Sequence, residues 1–571
     1  MESSLVRKEE KRYSRILMRS SKIQAALIFT VILLVCPEVP PAANAQTLSL
    51  EKTWGGTGYD AARGVAVASS GSVYVAGYTD SFGAGGRDVV LLRYSSIGVL
   101  QWQRTWGGTS NDYGFGIAVD SSGSSVYVAG TTFSFGAGDR DVVLLKYSST
   151  GLLQWEKTWG GASIDEGHDV AVDSSSGSIY VVGYTDGSGA GGFDVVLLKF
   201  DSTGVLQWQR TWGDTNGDYG LGVAVDSSGS IYVAGYTNSF GAGSFDFVLL
   251  KFDSTGILQW ETTWGDTGND HGYGIAVDPS ESSVYVTGTT SSFGAGRYDV
   301  VLLKFDSTGD LQWQRTWGDT NDDHAWDVAV ASGSVYVSGS TLSFTLGYDA
   351  VLLKFDSTGD LQSQRTWGDT NDDHGWGIAV DSSGNQYFAG STANALRTLT
   401  VVSASVGIPT FTTRTPTFTA ATPTFTAGTP TGTVGTPSGS EAYAGSSDAF
   451  LLKFSPPVSA TVDFDPDTLS LKRKAKWVTV FVELPEGYDV GEISIGSIRL
   501  QVGGGTQLPV AAGAPSTIGD YDGDNIPDLM VKFDGSQVQR LFPTTGYYTI
   551  VITGTVAGVP FIGTDTIRVT K

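Results

Sequence analysis

The sequence predicts an all-β fold, and three observations carry that prediction. A unit of about 50 residues recurs along the chain, and each copy ends on Thr-Trp-Gly. The copy at 223–265 contains four apolar runs of strand length that are rich in β-branched and aromatic residues. Turns of Asp, Ser and Gly separate these runs. Four short strands per unit, repeated radially, predict the blades of a β-propeller. The repeated tryptophans are Trp54, Trp106, Trp159, Trp212, Trp264, Trp317 and Trp367.

The number of strands predicts how many blades there are and how the ring closes. The fourth strand of the unit occurs seven times only if Leu48–Trp54 is counted as the first copy, and the last unit then lacks its own. Pairing Leu48–Trp54 with the last third strand would remove an open sheet edge. We therefore predict a seven-bladed propeller over 46–455 that is closed by an N-terminal strand. The third strands start at Asp88, Asp141, Asp194, Asp246, Asp299, Asp349 and Asp448.

The repeated motif supports a resemblance to a known family. The unit GxAVDSSGxVYVAGxT…DVVLLKF resembles the seven-bladed β-propeller repeat family of exported bacterial and archaeal proteins. The resemblance covers about 405 residues of the chain and implies an extracellular or cell-surface location. It implies no reaction and transfers no catalytic residue to this chain.

The N-terminus predicts export. A basic stretch up to Lys22 precedes the apolar run Ile23–Val35, and a small-residue cleavage site follows at Ala43–Ala45. Residues 1–45 are therefore interpreted as a signal peptide. An uncleaved anchor is the alternative, although 13 apolar residues are short for a bilayer span. Cleavage would remove Cys36, the single cysteine. The net charge of −24 argues against nucleic acid and anionic membranes as partners, and we expect a secreted or surface-located monomer with no membrane span after signal removal.

Two further regions differ in composition from the repeats. Residues 393–446, inside the seventh unit, are rich in Thr and Pro and cannot bury a core, so we predict a disordered insertion. It is interpreted as a tolerated loop or as a glycosylated or adhesive projection. Residues 456–571 contain several strand-like runs and predict a small β-sandwich domain. This domain resembles C-terminal modules that accompany exported microbial repeat proteins.

The C-terminal domain carries the sharpest motif, GDYDGDNIPDLMV at 519–531. Its acidic side chains occupy loop positions 1, 3, 5 and 9, and a backbone carbonyl is available at position 7. The stretch resembles the calcium loops of integrin-type propeller repeats, which implies one bound calcium ion. The alternative is an Asp-rich turn that is stabilised by its own backbone hydrogen bonds. The predicted ligands are Asp520, Asp522, Asp524, Ile526 and Asp528.

An aspartate follows each repeated tryptophan by six residues. The set could bind cations along the propeller axis, or each carboxylate could accept hydrogen bonds from the loop that crosses to the inner strand. The second interpretation is the prediction, because a polar residue repeated in every unit usually serves the fold. The residues are Asp60, Asp112, Asp165, Asp218, Asp270, Asp323 and Asp373.

Positions that vary between units give the candidate ligand site. At seven and nine residues after the tryptophan, the last three units carry only histidine and aromatic side chains. Flat aromatic faces suit sugar rings, and polar neighbours can bind hydroxyl groups. Packing between blades and metal binding by the histidines are the alternatives. The candidate ligand-binding residues are Tyr273, His324, Trp326, His374 and Trp376.

Three functional hypotheses follow. The chain is a non-catalytic binding or structural module whose partner is a carbohydrate or another surface protein. Alternatively it is an extracellular glycosidase or polysaccharide lyase, or a calcium-stabilised spacer of a surface layer. The sequence lacks HExxH, GxSxG and phosphate-loop motifs, and its units are close to uniform, so we expect no enzymatic activity and no catalytic residues.

Overall fold

The computed structural model describes residues 47–571, with gaps at 279–282, 344–346, 369, 394–398, 401–446, 503–505 and 558. The predicted signal peptide (1–45) and almost all of the predicted insertion (393–446) lie outside the described residues. Leu48–Ser455 form one compact unit, and Pro456–Lys571 belong to a second.

The first unit consists of repeated antiparallel sheets of four strands, because each unit of the sequence alternates strand-forming runs with tight turns. Seven such sheets are present in the described part of 48–455. The innermost strands are β2 (Asp60–Val67), β6 (Asp112–Val119), β10 (Asp165–Val172), β14 (Asp218–Val225), β18 (Asp270–Asp278), β22 (Asp323–Ala331) and β26 (Asp373–Val380). The second strands are β3 (Val73–Thr79), β7 (Ser125–Thr132), β11 (Ile179–Thr185), β15 (Ile231–Thr237), β19 (Ser283–Thr290), β23 (Ser334–Thr341) and β27 (Gln386–Thr392).

The outer half of each sheet contains the apolar third strand and a more exposed fourth strand. The third strands are β4 (Asp88–Tyr94), β8 (Asp141–Ser148), β12 (Asp194–Phe200), β16 (Asp246–Phe252), β20 (Asp299–Phe305), β24 (Asp349–Asp356) and β29 (Asp448–Ser455). The fourth strands are β5 (Leu100–Trp106), β9 (Leu153–Trp159), β13 (Leu206–Trp212), β17 (Leu258–Trp264), β21 (Leu311–Trp317) and β25 (Leu361–Trp367). A two-residue strand, β28 (Leu399–Thr400), pairs with β25 and adds a fifth strand to that sheet.

The N-terminal strand β1 (Thr47–Trp54) lies in the last sheet, whose order is β1-β29-β27-β26. It occupies the fourth-strand position that the sequence predicts for it. Trp54 and residues of this sheet share one hydrophobic cluster with residues of the first sheet, including Val75 and Leu92. The other clusters likewise join neighbouring sheets. The third strands are buried on both faces for this reason.

The second unit packs two sheets around one core, so the predicted all-β class holds for both units. One sheet has the order β31-β33-β37-β36, and the other has the order β30-β39-β38-β34-β35 with β32 also paired to β39. The strands are β30 (Val458–Ser459), β31 (Thr461–Asp465), β32 (Thr468–Ser470), β33 (Trp477–Glu483), β34 (Arg499–Val502), β35 (Leu508–Pro509), β36 (Thr517–Gly519), β37 (Asp528–Asp534), β38 (Gly546–Val556) and β39 (Val559–Thr570). Short helices are two 3-10 turns, Val490–Glu492 and Ile495–Ser497, and α1 (Gly535–Gln539).

Candidate functional site

A β-bulge in every inner strand determines which side chains can form a site. The pairing register shifts at the fourth residue of each of these strands, for example between Ala325 and Asp327 in β22. A bulge inserts one extra residue and redirects its side chain. All seven bulge side chains are partly exposed, and we call this set the collar. The collar residues are Arg63, Phe115, His168, Leu221, Tyr273, Trp326 and Trp376.

The collar side chains contact one another across neighbouring sheets. The ring centroids of Tyr273 and Trp326 are 4.9 Å apart, and those of Trp326 and Trp376 are 4.6 Å apart. The guanidinium carbon of Arg63 lies 3.8 Å from the Trp376 ring centroid and 5.5 Å from that of Phe115. Phe115 in turn stacks on His168 at 5.2 Å. Aromatic and cation–π contacts therefore link six of the seven collar residues.

The structure brings the three predicted aromatic residues together and leaves each of them partly exposed. Trp326 and Trp376 are each partly exposed, and their ring contacts with neighbouring sheets also fit the alternative of packing between blades. The indole N–H of Trp326 donates to Ser340 Oγ at 3.2 Å, and that of Trp376 donates to Ser391 Oγ at 3.1 Å. Both indole N–H donors are therefore satisfied within the protein.

The two predicted histidines lie behind the indoles. His324 Nδ1 is 3.2 Å from Thr289 Oγ1, and His374 Nδ1 is 3.0 Å from Ser340 Oγ. Their rings pack against Trp326 and Trp376 at 5.6 and 5.1 Å. Burial lowers the pKa of His324, and it lowers the pKa of His374 to about 4, so both imidazoles are neutral near pH 7. This placement suits them to orient the indoles.

Two carboxylates next to the collar were missed by the sequence analysis. Asp169 and Asp327 follow the collar residues of β10 and β22, at a position where the other five inner strands have glycine. Asp169 accepts hydrogen bonds from the backbone N–H groups of Val170 and Val223, at 2.8 and 3.0 Å. Asp327 is held in the same way by Val328 and Ile378. The signal was present in the sequence, as one column of the repeat that is glycine in five units and aspartate in two.

These two carboxylates also affect each other. Burial raises the pKa of Asp169 to about 6. Burial and, to a smaller extent, the charge of Asp169 raise the pKa of Asp327 to about 7. The strands β10 and β22 belong to sheets that are not neighbours, so the charge of Asp169 acts on Asp327 from a separate inner strand. The collar thus has partly exposed acidic groups beside its aromatic faces.

The first residue of each inner strand serves the fold, as predicted. Asp218 accepts hydrogen bonds from the backbone N–H of Asp214 at 3.0 Å, from Ser239 Oγ at 2.7 Å and from Thr237 Oγ1. Asp60, Asp112 and Asp270 bind the corresponding loop groups in their own sheets. All seven of these aspartates are fully buried, so they are not a ring of exposed cation ligands.

The predicted calcium loop places its carboxylates close together. Ligand atoms of Asp520, Asp522 and Asp528 lie within 4.8 Å of one another, and Asp522 and Asp524 form a second such group with Glu483. Glu483 lies on β33 directly opposite Asp528, a pairing that no local motif could reveal. Partial burial and the nearby carboxylates of Asp524 and Asp528 raise the pKa of Glu483.

Backbone hydrogen bonds shape the same loop. Asp520 accepts from the N–H groups of Gly523 and Asn525, at 2.7 and 3.1 Å, and Asp524 accepts from Ile526 at 2.7 Å. Such bonds belong equally to an acidic turn without metal. The carboxylate oxygens nevertheless form the hard donor set that calcium prefers, with Asp520, Asp522 and Asp524 exposed to solvent.

The sheets and the sequence unit together define an all-β protein built from β-propeller repeats. Residues 101–134 and 207–241 match the family model described as "Beta-propeller repeat". Regulatory protein FlaEY of Caulobacter vibrioides is 29% identical over 206 residues, which cover 30% of this chain and 21% of that protein. The chain thus spans about a fifth of the length of this relative.

Several solved structures are similar at low identity. The β-propeller domain of the Trilobed protease from Pyrococcus furiosus is 11% identical with a TM-score of 0.37, and the match covers 59% of this chain and 92% of that one. A putative 6-phosphogluconolactonase from Bacteroides fragilis is 12% identical with a TM-score of 0.37, and the match covers 63% of this chain and 95% of that one. The periplasmic gluconolactonase of Pseudomonas aeruginosa is 12% identical with a TM-score of 0.36, and the match covers 51% of this chain and 81% of that one. These likenesses carry no argument about activity or ligand. Among the described residues, no helix is long and apolar enough to cross a membrane.

Proposed function

We propose that this protein is an exported, non-catalytic binding module whose collar binds carbohydrate. The observation that carries the proposal is the row of three adjacent, partly exposed aromatic rings on β18, β22 and β26. Sugar rings stack on such faces because their C–H groups cover apolar surface. Export is supported by the basic and apolar N-terminal segment of the sequence.

The groups around the aromatic row supply polar contacts. The Arg63 guanidinium lies on the face of Trp376 and can donate hydrogen bonds to hydroxyl or carboxylate oxygens of a glycan. Asp169 and Asp327 offer acceptors at the base of the collar. His324 and His374 hold the indoles in place, so their effect on binding is indirect.

Trp326→Ala and Trp376→Ala should each weaken carbohydrate binding by about tenfold, equivalent to about 1.4 kcal/mol. A glycan array on the full chain identifies the ligand, and calorimetry then measures affinity. Trp260→Ala is the matched control, since this indole is also partly exposed but lies on β17, away from the collar. Equal losses in all three variants, or unfolding of the collar variants with no glycan bound by the parent, would favour packing as the role of the collar.

A second candidate function is glycoside cleavage, which one observation favours. Asp169 and Asp327 are interacting carboxyl groups whose pKa values are raised to about 6 and about 7, as in acid–base pairs of glycosidases. All four carboxylate oxygens already accept backbone hydrogen bonds, which favours the binding module. Release of reducing ends by the parent, and not by Asp327→Asn, would establish the enzyme instead.

We also propose that the C-terminal unit binds calcium through Asp520, Asp522, Asp524 and Asp528, with the Ile526 carbonyl as a further ligand. Glu483 adds a carboxylate from the facing strand. A bound ion would neutralise the repulsion among these groups and stabilise the native state by mass action.

Calcium at 100 times its dissociation constant should stabilise this unit by about 2.7 kcal/mol. Isothermal titration of the chelator-treated full chain should show one bound ion. The double variant Asp522→Ala with Asp524→Ala should abolish the heat, and Glu483→Gln should reduce affinity. Asp467→Asn is the control, because this carboxylate is exposed and lies outside the loop. An unchanged calorimetric trace in the double variant would rule the site out.

A further inference from the structure

The seams between neighbouring sheets contain a repeated pair of buried carboxyl groups. The first residue of each third strand approaches the first residue of the next inner strand, and both lie beside the glycine that follows the repeated tryptophan. A Cβ atom at this glycine would clash with both carboxylates, as at Gly265 with Asp246 and Asp270. The pairs are Asp88/Asp112, Asp141/Asp165, Asp194/Asp218, Asp246/Asp270, Asp299/Asp323, Asp349/Asp373 and Asp448/Asp60.

The two members of a pair have different hydrogen-bond partners. Asp270 accepts from the Asp266 N–H at 3.1 Å, from Ser292 Oγ at 2.6 Å and from Thr290 Oγ1. Asp246 accepts from two backbone N–H groups through Oδ2. Its Oδ1 faces Gly265 and Asp270 and has no hydrogen-bond partner among the described atoms, although Asp246 is only 2% exposed. One oxygen in this seam therefore has nothing to bind while it is ionised.

The charges that act on the third-strand members are acidic. Asp112 acts on Asp88, Asp165 on Asp141, Asp218 and Asp214 on Asp194, Asp270 and Asp266 on Asp246, and Asp323 and Asp319 on Asp299. Burial, reinforced by this repulsion, raises the pKa of Asp88, Asp194 and Asp299 to about 6. It raises the pKa of Asp141 and Asp246 as well. Burial also raises the pKa of the inner-strand partners, but the hydrogen bonds that they accept oppose that shift; these partners are Asp165, Asp218, Asp270 and Asp323.

We propose that the third-strand aspartates Asp88, Asp141, Asp194, Asp246 and Asp299 are proton-binding sites, and that one proton held at each of these seams couples propeller stability to pH. The proton is carried by the oxygen that faces the neighbouring carboxylate, where it turns two repelling acceptors into a donor and an acceptor. A divalent metal fits this place poorly, since calcium needs six to eight oxygen ligands and the Asp270 oxygens already accept three donors.

The sign of the pH effect follows from the folded state binding more protons than the unfolded chain. Stability from the seams is fully present below the ordinary aspartate pKa of 3.8 and is lost as pH rises through about 6. His271 and His374 act in the opposite sense, since burial lowers the pKa of each to about 4. Comparing the stability of a seam variant with that of its parent cancels the contribution of the histidines, because both proteins contain them.

Replacing a third-strand aspartate by asparagine tests the proposal, because the amide mimics the protonated carboxyl and donates at any pH. The triple variant Asp88→Asn, Asp194→Asn and Asp299→Asn should melt at or above the parent temperature at pH 7.5. Between pH 7.5 and pH 5 the parent should gain stability relative to the triple variant. Tryptophan fluorescence follows the propeller, since Trp477 alone lies in the C-terminal unit.

A second measurement keeps the proposal open to refutation if the triple variant does not fold. Asp246→Asn changes one seam only, and infrared absorption of protonated carboxyl groups, followed as the pH is lowered, should be weaker in this variant than in the parent, because the pKa of Asp246 is raised. An equal infrared signal, or a parallel pH dependence of parent and triple variant, would overturn the proposal. A metal would be indicated instead if chelation destabilises the propeller of the parent and this effect of chelation disappears in Asp246→Asn. That result would overturn the proposal.

Discussion

Deleting Leu48–Trp54 should lower the melting temperature of the propeller sharply and cause the protein to aggregate. The deletion removes β1, the outermost strand of the last sheet, and exposes the edge of β29. An exposed edge strand offers unpaired N–H and C=O groups to other chains. It also removes a large side chain that packs between the last sheet and the first.

That side chain is Trp54. It is 6% exposed and its ring centroid lies 5.1 Å from that of Phe82. Its indole N–H donates to Gln103 Oε1 of β5 at 2.8 Å, so the contact crosses from the last sheet to the first. Trp54→Ala alone should therefore cost about 3–5 kcal/mol, as large-to-small changes in cores do.

Thermal denaturation followed by tryptophan fluorescence measures both effects, with light scattering to detect aggregation. Lys52→Gln is the control, since Lys52 lies on the same strand with an exposed side chain. If the deletion melts within a degree or two of the parent, β1 does not hold the ends of the repeat array together.

The repeat unit made the architecture predictable because its signals are local. Apolar runs of strand length and Asp-Ser-Gly turns set the strands, and the structure begins every third strand at the aspartate that the sequence marked. The role of Asp218 and its equivalents was predictable for the same reason, since a residue repeated in every unit meets the same loop each time. The calcium loop is likewise contiguous, which is why its carboxylates were found together.

The candidate site was only partly predictable, because bulges and neighbouring sheets determine it. Tyr273, Trp326 and Trp376 were grouped by their common offset, and their rings contact one another in the structure. The sequence did not show that a bulge places them in one collar. His324 shares that region of the strand yet packs behind Trp326. Asp327 occupies a column that is mostly glycine, and only the partner strand shows what it binds.

Glu483 and the seam pairs illustrate a second limit of prediction from the sequence. Glu483 reaches the calcium loop through the pairing of β33 with β37, which is a tertiary contact. Asp246 and Asp270 come from different sheets and were interpreted separately, one as a strand start and one as a loop acceptor. Their proximity, and the pKa shift that burial and repulsion produce in Asp246, required the packing of one sheet on the next.

The two carboxyl groups of this seam should respond in opposite ways to substitution. Asp270→Ala should destabilise the propeller by at least about 3 kcal/mol, because it leaves the Asp266 N–H and the Thr290 and Ser292 hydroxyl groups without their acceptor in a buried place. Thr290 Oγ1 also accepts from the N–H groups of Ser292 and Phe293, so the loss extends into the loop after β19. Urea denaturation at pH 7.5 gives the free energy of unfolding.

Asp270→Asn separates the charge from the hydrogen bonds. Its amide nitrogen would face donors that now point at a carboxylate, so this variant should also lose stability at pH 7.5, whereas Asp246→Asn at the other side of Gly265 should not. Asp139→Asn is the control, since this aspartate of the same unit is exposed. Equal destabilisation by the two seam variants would mean that both carboxylates are ionised acceptors. A loss confined to Asp270 would mean that the pair has one fixed acceptor and one group that works as well when it carries a hydrogen.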